Sequence, residues 1–334
     1  MKTGQKLLTI ALIILLGVLL GIFIYSKTGI KDFVEQKKNE KLDKDIVAKV
    51  ADTTISEAES RVYLAAMRNQ IESIYGEEVW DYKVDDDGTK YSELMKNGVL
   101  DKIIYVKLVC ANAEGYGVTL TADDKLDVEE YVTDFFAGIT EETAKEYNLS
   151  KELVTKIYEE NILAAKVYDK ITLNYTVDAN EENCRQGTYV ITKINKFYLD
   201  TDGNKVYYSG EELSSIKSRA NLAQSSIKGG DAYQVALNEG SMDEPRINCG
   251  IEYFPEEMRE EVKALTDGQT STVFENEESY IIVHCEEDYN EEATKEAIKQ
   301  KIDADRNAYF NSLYTLWRDG AEIEIDKEKW EQIN

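Results

Sequence analysis

Apolar positions change their spacing several times along the chain, and each change predicts a different element. Leu7 to Tyr25 (LLTIALIILLGVLLGIFIY) carries no charge. At 1.5 Å per residue such a helix spans roughly 28 Å, the thickness of a bilayer core. Lys27 to Lys49 is dense in mixed charge and predicts a solvated spacer. Val47 to Ile55 (VAKVADTTI) alternates like a strand. Ser56 followed by Glu59 then reads as a capping box opening a helix that carries Val62, Leu64, Ala65, Met67 and Ile71. Helical spacing returns at Val99–Ala113, Thr121–Phe136, Ser150–Lys170, Ser214–Lys228, Ala232–Leu237 and Asn290–Arg318. These stripes are the usual mark of helix–helix core packing. A groove for a bound chain would have to be left exposed, which spacing alone does not show.

Thr188 to Asp200 alternates and predicts a strand, and Asp202-Gly203-Asn204 a hairpin turn. From Gly250 to Cys285 the order is loop, short helix (Met258, Val262, Leu265), Gly turn, strand (Thr270–Phe274), acidic turn, strand (Ser279–His284). Ala321 to Ile325 (AEIEI) is a last short strand. Asp85–Asp87 before Gly88 are contiguous, unlike the alternating ligands of a calcium loop, and predict a turn.

Composition narrows the function classes. The chain has 334 residues, 65 Asp and Glu against 39 Lys and Arg, and a formal net charge of -26. That excludes a nucleic-acid partner, which needs a basic face. Two prolines and 22 tyrosines indicate ordered structure. The only histidine is His284, and the four cysteines (Cys110, Cys184, Cys249, Cys285) fit no zinc spacing, so no metal or cofactor is expected. A Cys249–Cys285 bridge and four free thiols are both open readings. Lys2 and Lys6 ahead of the charge-free run place the N-terminus in the cytoplasm. A cleaved signal peptide competes with this. No A-x-A-like site follows Leu20, and an uncleaved signal anchor is expected.

Two stretches resemble a known family. The strand and capped helix at Val47–Ile71, with the closing helix and strand at Asn290–Ile325, resemble the PrsA and SurA group of chaperones. Between them, Lys228-Gly229-Gly230-Asp231-Ala232-Tyr233, Ser241-Met242-Asp243, Asn248–Phe254 and Leu265–Ser271 resemble motifs of parvulin-type peptidyl-prolyl isomerases. The resemblance implies an α+β chain with an N-terminal transmembrane helix, a helical chaperone module formed by N- and C-terminal segments, and an inserted parvulin-like domain of antiparallel sheet with helices. The implied boundaries are 1–28 for the anchor, 29–46 for the spacer, 47–180 and 290–334 for the module, and 187–287 for the insertion. It further implies Asp243 and Tyr280 as catalytic positions and Ile251, Phe254, Met258 and Val262 as a proline-binding pocket. Both family histidines are absent: Lys193 or Lys196 stands at the first-strand position and Tyr280 at the last-strand one. The implied role is a membrane-anchored, extracytoplasmic, single-pass foldase with a degenerate isomerase site. Its partners would be unfolded or secreted polypeptides, the membrane, and a second copy in a homodimer. An active isomerase and a non-catalytic envelope scaffold are the alternatives.

Overall fold

The computed structural model describes residues 42–85 and 87–333. The expected anchor helix lies outside the described residues. Among the described residues no helix is long and apolar enough to cross a membrane.

The chain runs β1 (Ile46–Val50), β2 (Thr53–Ser56), α1 (Glu57–Tyr75), α2 (Tyr91–Ala111), α3 (Ala122–Ala137), α4 (Glu141–Glu146) and α5 (Lys151–Leu173). There follow β3 (Gly187–Asn195), β4 (Phe197–Leu199), β5 (Lys205–Tyr207), α6 (Gly210–Gly229), α7 (Ala232–Glu239) and β6 (Arg246–Cys249). It ends with α8 (Glu256–Lys263), β7 (Phe274–Glu275), β8 (Ser279–Glu287), α9 (Glu291–Gly320), β9 (Ile323–Ile325) and α10 (Lys327–Gln332). The α+β class read from the pattern holds, and every described strand pair is antiparallel. Two compact units divide the chain: one of residues up to Thr176 with Arg306 onward, the other Val177–Asp305.

The first unit closes on a three-stranded sheet of order β2-β1-β9. β1 pairs β2 through the hairpin and β9 through Ala48↔Ile325, Lys49↔Glu324 and Val50↔Ile323. Val47, Val50 and Ile55 pack with Ile103 and Ile104 of α2, Ile157 of α5, and Trp330 and Ile333 from the chain's end. A second cluster joins Val106 and Val109 of α2, Val167 and Ile171 of α5, and Phe310 of α9. Thr121 and Ser150 cap α3 and α5 by accepting from Asp124 N and Leu153 N.

Ser56 caps α1 in the same way, through Glu59 N. The expected reciprocal contact from the Glu59 carboxylate is not made. Glu59 turns inward instead, is 2% exposed, and pairs with Lys107 of α2 at 2.7 Å. Glu160 of α5 meets the same ammonium at 2.6 Å. One lysine thus ties three helices. Burial alone would lower the Lys107 pKa, and the two carboxylates reverse that and raise it.

Lys107→Met would leave Glu59 and Glu160 side by side without their cation. The loss expected is ~3–5 kcal/mol, as for breaking a buried pair. Adding Glu59→Met should restore part of it. Thermal melts of the single and double variants at pH 7 check this. An unchanged melting temperature for Lys107→Met would show that the cluster does not hold the helices.

In the second unit the sheet order is β6-β3-β8-β7. Successive strand residues point to opposite faces. Tyr189, Ile191, Val283 and Cys285 face α8, with Phe254, Met258, Val262 and Leu265. Val190, Ile194, Tyr280 and Ile282 face α6 and α7, against Ala220, Ala223, Ile227, Ala232 and Ala236. The sheet is therefore covered on both sides. Of the expected strand Thr270–Phe274, only its end is β-paired as β7, with Thr270 making one isolated bridge to His284.

Candidate functional site

The four apolar residues expected to seat a proline do converge. Ile251, Phe254, Met258 and Val262 belong to one cluster with Tyr189 and Val283. Phe254 stands edge-on to Tyr189 at 5.3 Å between ring centroids. Phe254, Met258 and Val262 are 2%, 3% and 0% exposed, so they are packed core, and only Ile251 is partly open.

Tyr280 is not brought to them. Its cross-strand partner is Ile194, on the α6–α7 face, whereas Ile281 pairs Lys193 on the α8 face. The Tyr280 hydroxyl lies 3.3 Å from Glu275 Oε1, and the Lys196 ammonium sits 4.7 Å from its ring centroid. Lys196 also donates to Glu275 Oε1 at 2.8 Å and to the Asn276 carbonyl, and Lys217 of α6 reaches Glu275 Oε2 at 3.0 Å. The two lysines hold the Glu275 carboxyl down at about 2. This group clamps α6 to the sheet edge.

Asp243 is exposed, in a loop hung from β3 by Ser241, whose N–H and hydroxyl both donate to the Lys193 carbonyl. Gly240 makes that approach feasible: a Cβ there would lie 2.5 Å from the Ala236 carbonyl oxygen. Met242 packs on the apolar cluster, and Asp243 makes no ion pair or side-chain hydrogen bond among the described residues. His284 Nδ1 contacts Thr270 Oγ1 at 2.9 Å, and burial lowers its pKa. The two residues that alternation adds to the α8 face, Lys193 and Ile281, were legible only once strand register was known.

All four cysteines are free. Cys249 pairs Gly187 and Cys285 pairs Tyr189 on opposite sides of β3. Two strand spacings, roughly 9–10 Å, separate them, beyond the ~7 Å Cα limit for a disulfide. Of the two readings the sequence left open, free thiols are the one observed. Burial pushes the Cys249 thiol up to about 12 and that of Cys285 up to about 11.

A larger opening lies in the helical unit. It has a volume of about 470 Å³. Leu64, Ala65 and Met67 of α1 form one wall, and Phe135, Ile139, Tyr147, Leu149 and Tyr158 others, with Trp80 also lining it. Arg61 lies over the Tyr147 ring and Arg68 over Trp80, each at 5.9 Å. Lys96 lines it too, donating to the Glu331 and Ile333 carbonyls. Among the described residues no Asp or Glu lines the cavity. Its mostly apolar lining, with a few polar side chains such as Asn69, Ser92 and Thr143, suits side chains of another molecule.

Residues 1–134 match the SurA-like N-terminal domain. Over 143 residues the chain is 31% identical to the foldase protein PrsA of Caldanaerobacter subterraneus subsp. tengcongensis. The chain resembles the PrsA/SurA-type foldases. That alignment covers 42% of this chain and 40% of the relative, so the chain spans well under half the length of the curated relative it matches. Among solved structures, PrsA from Lactococcus lactis is 14% identical with a TM-score of 0.34, covering 85% of this chain and 96% of its own. A SurA-like chaperone structure from Campylobacter jejuni is 12% identical with a TM-score of 0.30, covering 84% and 98%. Superpositions this loose carry no weight for the site.

The Glu275 clamp makes a pH-dependent prediction. Its folded pKa is depressed from 4.5 to about 2. Its contribution is therefore fully present above pH 4.5 and is lost as pH falls through about 2. Glu275→Gln should lower the melting temperature at pH 7 and have little effect at pH 2. An equal shift at both pH values would rule out a role for the charge.

Proposed function

We propose that the chain is a membrane-anchored, extracytoplasmic folding chaperone that holds apolar segments of unfolded polypeptides in the cavity of its helical unit. The observation that carries this reading is the cavity itself: mostly apolar and aromatic, about 470 Å³, and lined by residues of α1 to α5. An open, mostly apolar recess of this size is the kind of site that takes up apolar groups of a bound molecule. Likeness to PrsA/SurA-type foldases over the N-terminal region supports the same reading. The charge-free run Leu7–Tyr25 supports anchoring, and the lysines ahead of it support the orientation.

In this proposal the sheet unit does not isomerise proline. X–Pro rotation needs a seat for the ring and a polar network beside it. Phe254, Met258 and Val262 are closed into core, and the Tyr280 hydroxyl is committed to Glu275 on the other sheet face. Asp243 is exposed next to Met242 of the cluster and has no polar side-chain partner among the described residues. An active isomerase is the alternative, and the same preparation distinguishes it.

Full-length protein should suppress aggregation of a reduced, unfolded client. Ala65→Trp, which fills the cavity from an exposed α1 position, should remove most of that effect at an unchanged melting temperature. Leu222→Trp, on the exposed face of α6, should not. A protease-coupled X-Pro assay should show rates within about twofold of the uncatalysed reaction, which takes tens to hundreds of seconds. Full suppression by Ala65→Trp would refute the cavity as the holding site. Acceleration abolished by Asp243→Ala would establish the isomerase.

A further inference from the structure

We propose that the cavity selects apolar segments carrying internal acidic side chains, one carboxylate on each side of the apolar residues it takes up. This deepens the client-site reading and rests on it. The chain is strongly acidic, with 65 acidic against 39 basic residues. Yet among the described residues the cavity lining holds Arg61, Arg68 and Lys96 and no Asp or Glu. The charged side chains of the lining are opposite in sign to the whole molecule, with Glu57 and Glu72 one turn from the two arginines. Long-range attraction to the acidic surface favours basic chains, but the groups that touch a bound segment favour carboxylates.

The two arginines are seven residues apart on α1, which places them on one face about 10 Å apart along the axis. Leu64 and Ala65 lie between them and line the cavity. An extended client covers about 10 Å in three residues. Side chains of an extended client share a face only at even spacing, so two acidic residues four apart, about 13 Å, with an apolar residue midway between them, meet both guanidiniums while the apolar side chain enters the cavity; the reach of the Glu and Arg side chains takes up the difference. A free C-terminal carboxylate supplies a single anionic group and meets only one of two arginines set about 10 Å apart.

Each guanidinium is positioned but not consumed. Arg61 contacts Glu57 at 3.5 Å through Nη2, and Arg68 contacts Glu72 at 3.2 Å through Nε. Both pairs are one turn apart on the helix surface and single-contact. Such pairs contribute little and exchange readily for another carboxylate. Arginine offers five donors in a planar fork, so most remain available to a client. The rings of Tyr147 and Trp80 hold the guanidinium planes at the rim.

The test is fluorescence anisotropy of dansyl-labelled, N-acetylated, C-amidated peptides with purified full-length protein at low salt. One peptide carries a Glu-Ser-Phe-Ser-Glu core, which puts both Glu and the Phe on one face of an extended chain, and twins replace both Glu by Gln or by Lys. A fourth is the Gln twin with a free C-terminal carboxylate. The Glu peptide should bind about tenfold more tightly than the Gln twin, and the difference should shrink in 0.5 M salt. Arg61→Gln/Arg68→Gln should bring the ratio near one. Glu57→Gln/Glu72→Gln, which frees both guanidiniums, should raise it. Equal binding of the Glu and Gln peptides, tightest binding of the Lys twin, or a free-carboxylate twin as tight as the Glu peptide would each overturn the proposal. If Ala65→Trp removes binding of the Gln twin while Glu and Gln peptides bind alike, the selectivity falls and the client site stands. If Ala65→Trp binds every peptide as the parent does, both fall.

Discussion

The helical unit depends on the pairing of β1 with β9, which brings segments from far ends of the sequence into one sheet. β1 has only the short β2 on its other side. A two-stranded ribbon of that length is marginal by itself in water. The third strand is delivered by α9, and the bond from Asp326 N to the Val47 carbonyl locks the register at 2.8 Å. With β9 come Trp330 and Ile333, both buried against the core that β1, α2 and α5 build. Removing a buried Trp or Ile side chain typically costs about 2–5 kcal/mol, a large share of the stability of one domain. The cavity inherits this dependence, since Ile333 and Ile157 of the same core line its floor.

A different constraint shapes the second unit. Strand alternation sends Tyr280 and Ile282 to one helical layer and Ile281 and Val283 to the other. Neighbours in sequence thus become opposites in space, separated by the full thickness of the sheet. The resemblance named Tyr280 with Phe254 and Met258 as parts of one site, but their faces differ. What Tyr280 joins is the Lys196–Glu275–Lys217 group at the sheet edge, where every polar atom has a structural task.

Local signals were legible in the sequence, and long-range ones were not. Ser56 caps its helix as the pattern implies, and Thr121 and Ser150 cap theirs in the same local way, because a cap is decided within four residues. Glu59 was misread for the opposite reason: its partner Lys107 lies on another helix, and a buried counter-ion outweighs a surface cap. Thr270–Phe274 looks like a strand by composition. The run bonds to β8 around Gln269–Ser271, but Thr272 turns to the Glu261 carboxylate of α8, and regular pairing begins only at Phe274. The cavity has no signature in spacing, since its walls come from α1, Trp80 and the α3–α5 region. Leu64 and Ala65 read as one more core stripe, and only tertiary placement leaves them facing open space.

The two units differ in what they leave open: an apolar cavity with Arg61, Arg68 and Lys96 in its lining in the helical part, and in the sheet part an apolar cluster closed into core. Site-specific photocrosslinking tests that division most directly. A benzophenone side chain placed at residue 65 or at residue 243 of the full-length protein is irradiated with an unfolded client. The account predicts strong crosslinking from position 65 and little from position 243. The reverse pattern would contradict it.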